Sequence, residues 1–303
     1  MCAFPNFLVL SVTSVLLFSC NHGTKQKKVA SAGFDVSWEG NQAGHYSVEL
    51  AYVKITVDLQ AGGRITTLAI DDANLLTGPD IDSINYGSTL WLSPQNLWRW
   101  PPPSVLDRQP YQLIAKSDSL FIKSSVDNRF GVSFSKSFLP SLKDTSLQIT
   151  YSIHNRTDSV VTYALWEVTR MQKDSEVMFT LEEQNSLRSI KESFWDQDSN
   201  RVKVSVSPTD ILTNKMFANG KGWLIYQKDS LALIKTFPDL SLDQLPPNHN
   251  EIEIYKDDTA YLEVEQHSPY VQLDPKETYQ WQVKWYPRKF SNGQEIEKWM
   301  DAL

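Results

Sequence analysis

Apolar and polar residues alternate with a period of two through most of the chain. Between Ser47 and Leu59, Val53, Ile55, Val57 and Leu59 fall on one side while Tyr52, Lys54, Thr56 and Asp58 fall on the other. That pattern predicts a half-buried antiparallel strand. Ala61-Gly62-Gly63-Arg64-Ile65 reads as a turn into a second strand ending at Ile70, and Asp71-Asp72-Ala73-Asn74 as the next turn. Similar runs recur at 111–115, 120–125, 132–138, 147–154, 160–171, 201–206, 222–226, 231–236, 251–255, 260–267 and 278–286. Only 182–191 and 293–303 hint at helix, the second with Ile296, Trp299 and Met300 on one face. About fourteen strands and almost no helix predict an all-β protein. Without a Pro/Gly/Ser linker inside the body, one large two-sheet antiparallel sandwich is favoured over two small domains.

The alternation breaks at Asn85–Pro103, N-Y-G-S-T-L-W-L-S-P-Q-N-L-W-R-W-P-P-P. Three consecutive prolines give no N–H to a ladder and fix φ near −65°, so this stretch leaves a strand near Trp91 and runs on as a stiff loop. Trp91, Trp98 and Trp100 then stand close together beside Gln95, Asn96 and Arg99. A flat indole suits the C–H face of a pyranose and offers an N–H at its edge. The alternative is that the three indoles plug the end of the sandwich core.

The N-terminus changes the picture of where the protein works. The run 7–18 is apolar, too short to span a bilayer and of the length of a signal-peptide core. It ends in Leu17-Phe18-Ser19-Cys20, which resembles the lipobox of bacterial lipoproteins, although no Lys or Arg precedes it. The resemblance implies a signal peptide at 1–19, lipidation at Cys20, a polar tether to residue 32 and a body at 33–303. It implies a cell-envelope location, on the periplasmic side of the outer membrane, with membrane contact through the lipid only. Cys2 and Cys20 are the chain's two cysteines, so the body has no disulfide, thiolate ligand or cysteine nucleophile. The formal charge is −7, and leaving out the three lysines of the first 28 residues makes it −10. An acidic body without a basic run points away from nucleic acid.

Two strands carry charge where a core strand does not. Tyr261, Glu263, Glu265 and His267 share one face of a run that stops at Ser268-Pro269. Carboxylates and an imidazole in that arrangement face solvent or line a polar cavity. Glu167 sits mid-strand in Y-A-L-W-E-V-T-R, salt-bridged to Arg170 or Arg64 or part of a site. His22, His45, His154, His249 and His267 are dispersed, with no HxH or HExxH spacing, so neither a metal nor another cofactor is expected.

The order of these features resembles a bacterial family of galactose-mutarotase-like domains related to the aldose 1-epimerases. The residues that carry the likeness are the Gly-Gly-Arg-Ile turn, W-x-S-P-Q-x-x-W-x-W-P-P, and the Asn155-x-Thr157 turn. W-E-V-T-R, E-x-E-x-x-S-P and L-x-P-x-E-x-Tyr (273–279) complete it. It covers about residues 40 to 290 and implies a β-supersandwich with a sugar-sized cleft on its concave side. Mutarotases pair a glutamate base with a histidine acid. The likeness puts the base at Glu265, with Glu263 the alternative registration. The place where the family carries its histidine holds Trp166-Glu167, which leaves His267 as the substitute and His154 as a weaker one.

The first reading is therefore an envelope-anchored, monomeric carbohydrate-binding protein. Arg64, Trp91, Gln95, Trp98, Trp100, Trp166 and Glu263 would contact a mono- or oligosaccharide. The second is a sugar epimerase, mutarotase or other sugar-modifying enzyme using Glu265 and Glu167 as a carboxylate pair, with His267 as a further candidate. The third is a structural lipoprotein in which Trp98 and Trp100 are both buried.

Overall fold

The computed structural model describes residues 36–191, 193–258 and 261–303, so the expected signal peptide, Cys20 and tether lie outside the described residues. Two antiparallel sheets dominate. The front sheet of 12 strands contains, side by side, Arg64–Ile70, Ser88–Ser93, Val161–Met171, Leu262–His267, Ile252–Lys256 and Asn214–Ala218. The back sheet of 10 strands includes Val132–Ser141, Ser146–Asn155, Leu231–Thr236 and Thr278–Lys289. Leu90, Leu92, Leu165, Val264, Ile252, Phe134, Ile149, Leu233 and Val283 are buried apolar residues of the two sheets. The amphipathic C-terminus is a helix, Gly293–Ala302, capped by the Asn292 side chain accepting from Gln294 N–H.

Several elements differ from the sequence reading. The run from Ser47 to Leu59 is two strands, His45–Leu50 and Val53–Asp58, because Ala51 takes φ 54° and turns the chain back. The hint of helix at 182–191 is a single turn at Gln184–Ser186 followed by a two-residue strand, Arg188–Ser189. The Trp–Pro segment leaves its strand after Ser93, makes one tight turn at Gln95–Leu97 and ends in a one-turn helix, Ser104–Asp107. Ser93–Pro94 and Trp100–Pro101 are cis.

Strand pairing decides which side chains meet. Trp166 lies opposite Trp91 on one neighbour and His267 on the other. Glu265 lies opposite Glu253, and Glu253 opposite Phe217. Directly opposed residues of an antiparallel pair share a face. Trp91, Trp166, His267, Glu265, Glu253 and Phe217 therefore form one row on the outer face of the front sheet. Leu90, Glu167 and Gln266, one residue away in each strand, form a row on the face turned towards the back sheet.

Candidate functional site

Glu167 belongs to the layer between the sheets. Its Oε1 accepts from Lys235 Nζ at 2.7 Å and Trp285 Nε1 at 3.2 Å, and Gln266 Nε2 also donates to it. Tyr151 Oη donates to Oε2 at 2.7 Å. Lys235 and Glu167 are both fully buried. The expected partners, Arg170 and Arg64, are not used. Arg170 stands three residues along the strand and so points to the opposite face, where its Nε donates to Glu263 Oε1 at 2.9 Å. For the same reason Glu167 and Glu265 do not form a carboxylate pair; the sheet lies between them.

On the outer face three clusters run side by side. In the first, Asp107 Oδ1 accepts from Thr89 Oγ1 (2.8 Å), Trp91 Nε1 (2.9 Å) and Arg64 Nη2 (3.3 Å). In the second, the Arg170 guanidinium sits 5.0 Å from the Trp91 ring centre and joins it to Glu263. Arg64, Trp91 and Glu263 are thus buried and occupied with one another's neighbours. Trp98 is also buried, its Nε1 donating to Leu92 O at 2.7 Å, whereas Trp100 is 55% exposed and stands edge-on to Trp91. The third reading required both to be buried, and Trp100 is not.

The third cluster centres on Glu253. Lys215 Nζ lies 2.6 Å from Glu253 Oε2 and 3.0 Å from Glu265 Oε2. Trp166 Nε1 donates to the same Glu265 oxygen at 2.8 Å. His249 Nε2 accepts from the Gln95 backbone N–H at 3.3 Å, so Nδ1 carries the proton and donates to Glu253 Oε1 at 2.9 Å. His267 Nε2 lies 3.3 Å from that oxygen, and its ring stacks on Trp166 at 5.0 Å. Burial alone would raise Glu253, but the Lys215 ammonium and the two imidazoles outweigh it and hold the carboxyl well below its usual range. Burial pushes Glu265 above its usual range in spite of Lys215, with Glu263 and Glu253 adding to the rise. Burial likewise holds His267 down at about 4. One carboxylate is kept ionised and its neighbour is disposed to hold a proton, the kind of split that acid–base sites use.

A cavity of about 370 Å³ opens beside this cluster. Gln95, Asn96 and Arg99 of the Trp–Pro segment wall one side, and Lys215, Phe217, His249 and Glu253 another. Of the residues picked from the sequence, Gln95 lines the cavity; Trp166, Glu265 and His267 lie against the residues that do. Lys215, Phe217 and Glu253 escaped notice, and His249 was passed over as one of five dispersed histidines. The signal that could have found them was pairing: once 251–255 and 260–267 are taken as a hairpin, Glu253 falls opposite Glu265 and His249 lies just before the first strand.

Similar architecture occurs in solved structures. A galactose mutarotase-like protein from Lactobacillus casei superposes with a TM-score of 0.60 at 12% identity, over 81% of this chain and 100% of its own. One from Clostridium acetobutylicum gives 0.57 at 12%, over 85% and 100%. A galactose mutarotase related enzyme from Lactobacillus acidophilus gives 0.56 at 10%, over 82% and 98%. At such identities the likeness is one of fold. No curated protein sequence matches the chain. Residues 93–287 match the family described as a domain of unknown function, DUF4380, and the chain belongs to that family, carried on a galactose-mutarotase-like β-sandwich.

Proposed function

We propose that the protein binds a carbohydrate in the cavity between the Trp–Pro segment and the Glu253 cluster. The observation that carries this is the wall itself. Three amides (Gln95, Asn96, Asn248), two cations (Arg99, Lys215), an imidazole (His249), a carboxylate (Glu253) and one aromatic ring (Phe217) line about 370 Å³. That is a size for a small ligand, and the mixture of donors and acceptors with an aromatic side chain in the wall matches a polyhydroxylated ring. The galactose-mutarotase-like fold supports a sugar over other small polar ligands. The lipobox-like Leu17-Phe18-Ser19-Cys20 supports envelope anchoring through lipid at Cys20. A glycan array followed by calorimetry on the purified chain tests the sugar. Binding that weakens at least tenfold in Phe217→Ala and Asn96→Ala supports the reading, and absence of binding to any glycan removes it. Loss of lipid labelling and of membrane association in Cys20→Ser tests the anchor.

A second reading, a sugar-modifying enzyme of the epimerase or mutarotase type, is favoured by Glu253 standing on the cavity wall between two imidazoles. On this reading Glu253, rather than the more deeply placed Glu265, meets the ligand. Polarimetry with Glu253→Gln decides it: a mutarotation rate that the substitution leaves unchanged ends the catalytic reading.

A further inference from the structure

His249, Glu253 and His267 come from one loop and two paired strands, and a ligand atom from each lies within 4.8 Å of the other two. His249 Nδ1 and His267 Nε2 converge on a single oxygen, Glu253 Oε1, at 2.9 and 3.3 Å. Nitrogen and oxygen ligands held ~2.1 Å from a tetrahedral zinc ion stand roughly 3.4 Å apart, within the range of these separations. His267 is wholly buried, and neither of its ring nitrogens makes a hydrogen bond of good geometry, Nε2 included despite its nearness to Glu253. Buried imidazoles without a partner are uncommon, and a coordinated cation is one of the things that satisfies them. Lys215 holds the far oxygen, Oε2, while Oε1 faces the two rings and accepts from the Asn250 backbone N–H at 3.1 Å, which leaves a second lone pair for a cation. His249 and Glu253 border the cavity as well.

We propose that His249, Glu253 and His267 bind a divalent cation of the zinc class, with one coordination position open to the cavity. Two imidazoles and one carboxylate suit zinc or another first-row divalent ion better than calcium or magnesium, which prefer oxygen throughout. Three protein ligands and an open position are the arrangement of sites that present the ion to a small molecule. Coordination through His249 Nδ1 moves the imidazole proton to Nε2, which gives up the 3.3 Å contact with the Gln95 N–H. One long hydrogen bond is a small loss against three coordination bonds. Cation occupancy is thereby coupled to the position of the Trp–Pro segment at Gln95. The assignment of the triad does not rest on the sugar reading.

The test is titration of the purified chain, free of any affinity tag and stripped with chelator, with cobalt(II) chloride and then zinc chloride. Expected is a visible cobalt absorption band that saturates at one equivalent and is abolished by one equivalent of zinc, with a rise in the unfolding midpoint on zinc addition. His249→Ala and His267→Gln should each weaken cobalt binding at least tenfold, whereas His154→Ala, on the back sheet, should leave it unchanged. His267 is buried and its variant has to be shown folded by circular dichroism; His249 lies in a loop, so its substitution keeps the test decisive. A folded chain that shows no saturable band, or one whose band survives both His249→Ala and His267→Gln, overturns the assignment.

Discussion

The indole N–H of Trp166 points at Glu265 Oε2 from 2.8 Å, and the ring's flat side carries His267. One side chain thus sets the position of both an acid and an imidazole. Trp166→Phe keeps most of the stacking and removes the donor, leaving a buried oxygen with Lys215 alone. Urea unfolding should show a loss of about 1–3 kcal/mol, and ligand affinity should fall because Lys215 is shared between Glu265 and Glu253.

Trp98 and Trp100 stand two residues apart and should answer differently to truncation. Trp98 is buried with its N–H satisfied, so Trp98→Ala should cost ~3–5 kcal/mol in urea unfolding. Trp100 is 55% exposed, and its loss should change stability by under about 1 kcal/mol.

Between the sheets, Glu167→Ala strands the Lys235 ammonium in a site with no access to water. Removing one partner of a buried pair costs roughly 3–5 kcal/mol, whereas replacing both with apolar groups is often close to neutral. Glu167→Met with Lys235→Met removes the stranded ammonium but still leaves Tyr151 Oη, Gln266 Nε2 and Trp285 Nε1 without their acceptor, so it should recover only part of the stability lost in Glu167→Ala. Denaturant titration of the two variants measures this. Ligand affinity should not move in the double variant, because this pair lies across the sheet from the cavity.

Lys136 gives the fold a pH dependence of its own. Its ammonium is buried and donates to Gly62 O and Gly63 O at 2.8 and 3.1 Å. Burial brings it down to about 7 against the pull of Asp107 and Glu167, with Arg64 adding to the fall and the Tyr111 ring 5.0 Å away. Between pH 7 and the ordinary lysine value the unfolded chain binds a proton that the folded chain lacks. Stability from this group therefore rises with pH across that window, by at most about 1.4 kcal/mol per unit, and is flat below it. Urea midpoints from pH 7 to 9.5 should climb more in the wild type than in Lys136→Met.

Period-two alternation made the architecture readable, and the run of charged residues at Tyr261–His267 drew attention to a strand that lies beside the cavity-lining residues. Alternation gives faces only relative to one another, however. It could not say that Glu167 looks inward, since an inward carboxylate needs Lys235 from the other sheet, 68 residues away. Nor could it find His249, whose value comes from a loop packed against Gln95, 154 residues distant. The reversal at Ala51 was missed because a left-handed alanine leaves no mark in composition. What stayed hidden was contact made by strands distant in sequence.

Positions 166 and 167 look in opposite directions, so natural variation can work on each without disturbing the other. A lineage can alter what the cavity accepts through the outward set, while the inward set keeps the two sheets closed. Length is another matter. One residue inserted ahead of this strand would exchange the two sets at a stroke, presenting a carboxylate to the cavity side and driving a tryptophan against a lysine. Relatives that keep this architecture should vary more in residue type along the strand than in how many residues it takes to cross.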